Sequence, residues 1–482
     1  MILKFAQHKS SPFLIGAMLF LGCLILAFIS QNLLLMAMPF GLLAIVFFLT
    51  DLRIPFYLLM FSLPLSFNLM GMIGVGLDFP DEPLMLTMTA IFPFFILTQN
   101  RSTGFIDTLK HPLILLILFS FVWTIISVVF SLDPIFSTKF LVKKIWYLVP
   151  FLFFPLLLFQ DRALMIRAWK LILICLCILT LIILYRFSKV GFRFEEVHDP
   201  LQPFFMNHVM YGGMVSICVP LAMAGLWLNK RFSINWWMVL AAISILLLGV
   251  YFSYSRAAWA GVIFAAIALV LIRFKLMPWA MLGFYAVVLS AVLWLSNHNQ
   301  YLNYKPNFEK TVMHESLEDH IMATIQGTDI SSAERYYRWI AALRMSEDHP
   351  LTGVGPNNFY DQYKAYTITS FKTWVSRNPE RSTTHNYFLF MLVEQGYPAM
   401  ILYAALIFAI FFYGQRLYHR LEHRTAKVIV MASLTCIASV FVNNFFSELL
   451  ETDKIGSIFF LCIAALVLTD LQQKKYPSKG IA

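Results

Sequence analysis

A few side chains in this sequence combine the two abilities needed to work on a phosphate-bearing substrate, holding negative charge and accepting a proton. Arg256 stands in Ser-Tyr-Ser-Arg (253–256), between two apolar runs. A guanidinium fork meets phosphate oxygens with two hydrogen bonds, so Arg256 is a candidate clamp. An arginine snorkelling to lipid headgroups would occupy the same place. Arg335 lies in the first turn of the amphipathic stretch SSAERYYRWIAAL. A cation is mildly unfavourable near a helix N-terminus, which hints at an anion nearby, although a solvated helix charge fits the position as well. His385 follows Ser382-Thr383-Thr384, three good helix caps, and is expected in the first turn of an apolar helix. The partial positive charge there disfavours imidazolium, and a neutral ring suits general-base work near pH 7. The alternative is an interfacial histidine bonded to a loop carbonyl.

These side chains need elements to carry them, and the composition says which. The chain has 482 residues, 60% hydrophobic and 13% charged, with 47 phenylalanines. Soluble domains average about 45–50% apolar and about 25% charged residues, so lipid must be part of the solvent. Spans of roughly 20 apolar residues are expected at 12–30, 33–50, 54–73, 84–98, 112–131, 141–159, 168–187, 203–227, 236–254, 257–273, 277–296, 385–413, 427–447 and 455–470. The pair 54–73 and 84–98 also reads as partly re-entrant. The fold class is therefore all-α: a polytopic membrane protein with about 12–14 transmembrane helices and one large helical loop. The chain divides into a transmembrane part over 1–296, a loop over 297–384, and C-terminal spans with a tail over 385–482. The first apolar run lacks a small-residue cleavage site and reads as a retained span.

The net charge of +10 invites a nucleic-acid reading, but the positions of the charges decide against it. With the N-terminus inside, the inner connections are short and basic, among them Arg162, Arg167 and Lys170, then Lys230 and Arg231, then Arg416, Arg420, Arg424 and Lys427. That is the positive-inside pattern, so topology accounts for the excess. It places both termini in the cytoplasm and the 297–384 loop outside. Within that loop, Ser331-x-x-Glu334 reads as a capping box. Tyr336, Trp339, Ile340 and Leu343 give the following helix one apolar face. His349-Pro350 ends it, and Gly353-Val354-Gly355-Pro356-Asn357 turns. That turn is no P-loop, for it lacks the Lys-Ser/Thr pair. No HExxH or GxSxG occurs, the six cysteines sit in apolar runs without metal-ligand spacing, and no metal or cofactor is expected.

Three elements in this order carry a resemblance. They are the turn Ser253 to Arg256, the helix RYYRWIAAL followed by HPLTGVGPNNF, and His385-Asn386 with Gly396 beyond. Together, over roughly residues 203–447, they resemble the O-antigen ligase and O-antigen polymerase superfamily of bacterial membrane glycosyltransferases. One departure is Glu334, where the family often has glycine before its arginine.

The resemblance implies transfer of a glycan from an undecaprenyl-diphosphate carrier to an acceptor hydroxyl, at the periplasmic face of the bacterial inner membrane. The acceptor would be a glycolipid, a glycan repeat or a protein, and the reaction would be metal-independent and inverting. His385, Arg256 and Arg335 would be catalytic. Arg193, Arg338, Trp339, Asn386 and Glu448 would bind or orient substrate. The competing class is a lipid-linked oligosaccharide flippase or polysaccharide exporter, which should show paired broken helices in two similar halves.

Overall fold

The computed structural model describes residues 51–69, 77–98, 107–158, 162–304, 330–367 and 383–475. The expected spans 12–30 and 33–50 lie outside them. The chain divides into two compact units, Met1–Leu58 and Leu59–Ala482, and the second holds every described element except the start of the first helix.

It is an α-helical membrane protein. Helix α1 (Arg53–Ser62) closes with a 3-10 turn over Leu63–Leu65. A two-residue hairpin comes next, β1 (Phe67–Asn68) paired antiparallel with β2 (Asp78–Phe79). The run expected to span over 54–73 is therefore no single helix; it stops at Leu65 and turns. Beyond the hairpin lie α2 (Asp81–Thr98), α3 (Pro112–Val129) and α4 (Pro134–Leu148). Helix α4 continues to Leu158 through a wider turn over Val149–Phe153, where Pro150 removes a donor from the ladder. After it come α5 (Arg162–Lys189), α6 (His208–Leu228), α7 (Ile234–Phe252), α8 (Arg256–Arg273) and α9 (Met277–Ser296). Beyond the loop, with α10 (Ile330–Asp348) and α11 (Phe359–Gln362), lie α12 (Tyr387–Arg420), α13 (Arg424–Asn443) and α14 (Asp453–Lys475). Among the described residues, ten helices are long and apolar enough to cross a membrane.

Helices α6, α8 and α13 make the tightest seam, and small residues are the reason. A Cβ on Gly261 of α8 would lie 2.6 Å from Ser439 Oγ and 2.7 Å from Asn443 Nδ2 of α13. Without hydrophobic drive between helices in lipid, such close approach is what holds them. Helix α9, by contrast, leaves Trp279, Val287 and Leu293 exposed, as suits a lipid-facing span.

Successive connections fall at alternate ends. At one end the Asp470 carboxylate meets Arg420, Lys474 (2.7 Å) and His111 (3.4 Å), and Gln415 Oε1 accepts from Met277 N. The long loop belongs to the opposite end, with the turns after α3, α5, α7 and α13.

Candidate functional site

The loop helix and the start of α12 depart most from a simple helical hairpin. Helix α12 is broken at Gly396, whose backbone stands at φ 80°, ψ 177°. Tyr387 and Tyr403 are sixteen positions apart, about 24 Å along a continuous helix, yet their rings lie 4.6 Å apart. Residues 387–395 therefore run back beside residues 397–420, and only the second arm continues through the bundle. The 385–413 stretch is two arms, not one span.

The break is gripped from outside. Tyr397 N donates to Pro350 O (2.9 Å), Val354 N to Val393 O (3.0 Å) and Gly355 N to Glu394 O (2.9 Å). A Cβ on Gly396 would meet Leu351 O at 1.9 Å, so only glycine fits there. Buried Glu394 accepts from Asn357 N (2.7 Å) and Phe359 N (3.3 Å). Three amides of the GVGPNN turn, those of Val354, Gly355 and Asn357, thus bond to α12. They form a docking plug, which is the physical reason this glycine-rich turn is no phosphate cradle.

His385 lies at the foot of the first arm. It precedes the helix instead of standing in its first turn. The cap is Asn386, whose Oδ1 accepts from Phe388 N (3.0 Å) and Leu389 N (3.1 Å), while its Nδ2 donates to Phe445 O (3.3 Å). His385 itself adopts the left-handed conformation, φ 53°. Asn and His tolerate that region better than most residues. Tyr387 N donates to Asn444 O (2.8 Å), which seats the foot on the end of α13.

Helix α10 fixes the strand that leads to His385. Buried Arg338 donates from Nε to Glu334 Oε1 (2.9 Å) and from Nη1 to Thr383 O (2.7 Å). Trp339 Nε1 donates to Thr384 O (3.0 Å). The Arg338 guanidinium also lies 5.7 Å from the centre of the Tyr363 ring. The capping-box reading fails here. The helix is already formed at Ile330, ahead of Ser331, and the Glu334 carboxylate serves Arg338.

The structure brings together His385, Glu448, Arg335, Arg338 and Glu334. His385 Nδ1 lies 3.8 Å from Glu448 Oε2. Burial pushes the His385 imidazole below its usual range; Glu448 opposes the shift, and Arg335 and Arg338 reinforce it. Arg256 opens α8, where Ser255 Oγ accepts from Ala258 N (3.4 Å). It stands five residues, roughly 7–8 Å of helix, before Gly261, which packs on Asn443. Arg256 therefore lies at the same end of the bundle as the foot of α12. Arg193 is exposed on the adjoining turn, where Tyr254 Oη donates to Phe192 O (2.7 Å). Among the described residues no three His, Cys, Asp or Glu side chains are placed to hold a metal ion.

Sequence reasoning missed the parts played by Glu334 and Glu394 and the break in α12. Two signals were present: an acid inside an apolar run, which demands a partner, and a glycine with a nearby proline in a helical stretch.

Residues 241–404 match the model of a protein family described as O-antigen ligase. The matched stretch contains Arg256, α10, His385 and the break at Gly396, and leaves Arg193 and Glu448 outside. No curated protein matches the chain.

Proposed function

We propose, from the match of residues 241–404 to the O-antigen ligase family model, that this membrane protein is a glycosyltransferase that moves a glycan from an undecaprenyl-diphosphate carrier to an acceptor hydroxyl. The observation that carries the reading is the corner at the foot of α12, where a half-buried imidazole of lowered basicity stands among Arg335, Arg338, Glu334 and Glu448.

Each residue has its share of the work. The acceptor hydroxyl loses its proton to His385 as its oxygen bonds to the anomeric carbon. The bond from that carbon to the diphosphate oxygen breaks on the opposite face, inverting the centre. Negative charge grows on the leaving oxygen, and Arg256 and Arg335 neutralise it where other transferases use a metal ion. Glu448 faces the Nδ1 edge of the imidazole at 3.8 Å, leaving the other nitrogen for the acceptor. Arg193, exposed on the next turn, serves the diphosphate or the acceptor, and Asn386 and Trp339 shape the floor. The carrier's lipid tail lies among the spans, the site faces the periplasm, and the cell inner membrane houses the whole.

The test is transfer from a lipid-diphosphate-linked glycan by purified protein, with lipid A core, glycan repeat and protein hydroxyls offered as acceptors. Transfer to one of them that disappears in His385→Ala is the expected result, and the preferred acceptor separates ligase from polymerase. The break in α12 also suits a flippase or exporter, since transporters build their sites from discontinuous helices. Carrier movement across vesicles without glycan transfer would favour that reading.

A further inference from the structure

Glu334 and Arg338 form an ion pair on one face of α10, four residues apart and almost wholly buried. A buried pair gives weak net stabilisation, because desolvation consumes much of the attraction. Its geometry makes a second contact that stability alone does not require. The same guanidinium reaches across to Thr383 O, and the neighbouring Trp339 reaches Thr384 O. Both carbonyls belong to the two residues before His385. Thr384 Oγ1 then donates to Asn386 O (2.8 Å), closing the turn from the far side. A non-glycine residue at φ 53° persists only where its surroundings over-determine it.

We infer that Glu334 and Arg338 are positioning residues that hold the 383–386 turn, and through it the His385 ring, in working orientation. The inference rests on the glycosyltransferase reading for its kinetic part, but its structural part stands apart from it. Glu334 orients the guanidinium and Arg338 grips the backbone. Trp339 adds the second anchor. The charged groups facing His385 are Arg335, Arg338 and Glu334 from α10 and Glu448 from the segment after α13. Removing the Glu334 charge takes away one of the two acids that favour imidazolium.

Two variants and two readouts test this on the full-length protein. Glu334→Gln keeps an oxygen for Arg338 but removes the charge. Its His385 titration, followed by histidine hydrogen–deuterium exchange, should move to lower pH, as expected for loss of one nearby negative charge. The double variant Glu334→Leu/Arg338→Met removes both charges at once and leaves no buried ion alone, so folding is retained. Its kcat should fall on the order of ten- to a hundredfold, the scale of a roughly 1 Å misplacement, with the donor KM near that of the parent. Arg338→Lys, which can hold one partner at a time, should recover part of the loss.

A double variant with parental kcat, or a Glu334→Gln protein whose His385 titrates unchanged, overturns the inference. If neither the parent nor any variant transfers glycan while the double variant exchanges its 383–386 backbone amides faster than the parent does, the positioning role stands and the glycosyltransferase reading fails.

Discussion

Two buried cations tie chain segments together at the loop-bearing end, and they fasten different things. Lys454 spends its ammonium on the carbonyls of Pro64 (3.2 Å), Ser66 (2.8 Å) and Phe204 (2.5 Å), beside Asp453, which accepts from Ser66 Oγ. Arg338 spends its fork on Glu334 and Thr383 O. The compact ammonium gathers three carbonyls around a point, whereas the flat guanidinium links two partners along a line. Behind the Lys454 carbonyls lie the hairpin and the turn into α6, which are scaffold. Behind Thr383 lies His385. The same device thus fastens architecture in one region and holds the proposed base in the other, and what hangs from the gripped segment tells them apart.

The largest way to break this contrast is at His385. His385→Ala should lower transfer by about a hundred- to ten-thousandfold, the range for loss of a general acid–base group, with unchanged protein level and donor binding. A variant that keeps its turnover removes the base from the mechanism and leaves the Arg338 region no more than a second fastening. Arg256→Ala and Arg335→Ala come next, each expected to cost about 2.7–4 kcal/mol in the transition state, or about a hundred- to a thousandfold in kcat. Equal losses in donor binding alone, read by titration with carrier lipid, would make both arginines simple clamps.

Lys454→Met should act on stability instead. Removing one member of a buried charge cluster costs about 3–5 kcal/mol, visible as a lower midpoint in thermal unfolding in detergent. The kcat per folded molecule and its pH profile should stay as in the parent. A changed pH profile would erase the distinction between the two regions.

The pH dependence sharpens it further. Burial lowers the His385 pKa from the ordinary 6.5, so the neutral, competent ring persists to more acidic pH, and the acid limb of kcat/KM should fall below that value. The unfolded chain then binds more protons than the folded one. This group's contribution to stability is full above pH 6.5, where both states are neutral, and is lost as pH falls through the folded pKa. An acid limb at or above 6.5 would contradict burial as the dominant influence.

Much of the fold was legible because lipid imposes it. Spans such as 112–131 and 257–273 reappear as α3 and α8 within a few residues, since twenty apolar residues have few other uses. The foot and break of α12 were not legible. Hydropathy reports how greasy 385–413 is, not that Gly396 turns the chain back so that Tyr387 meets Tyr403. Nor does local sequence distinguish Ser331 as a cap from Ser331 as a residue inside a helix that begins earlier. Arg338 lay beside Arg335 in a motif that suggested substrate. Only the fold shows its guanidinium turned toward Thr383 O.

The smallest expected effect concerns Asn386, where cap and substrate contact are rival uses of one amide. Its Oδ1 already serves Phe388 N and Leu389 N, and its Nδ2 serves Phe445 O. Asn386→Ala should therefore cost about 1 kcal/mol of stability, the usual worth of a helix cap. Transfer should decline only as far as the foot of α12 loosens. Asn386→Asp restores the accepting oxygen and should recover part of the stability, since it cannot donate to Phe445 O, while its carboxylate beside His385 raises the imidazole pKa and moves the acid limb up. If instead both variants raise the acceptor KM equally and leave stability and the acid limb alone, the amide reads substrate. The turn before α12 would then belong to binding as much as to positioning.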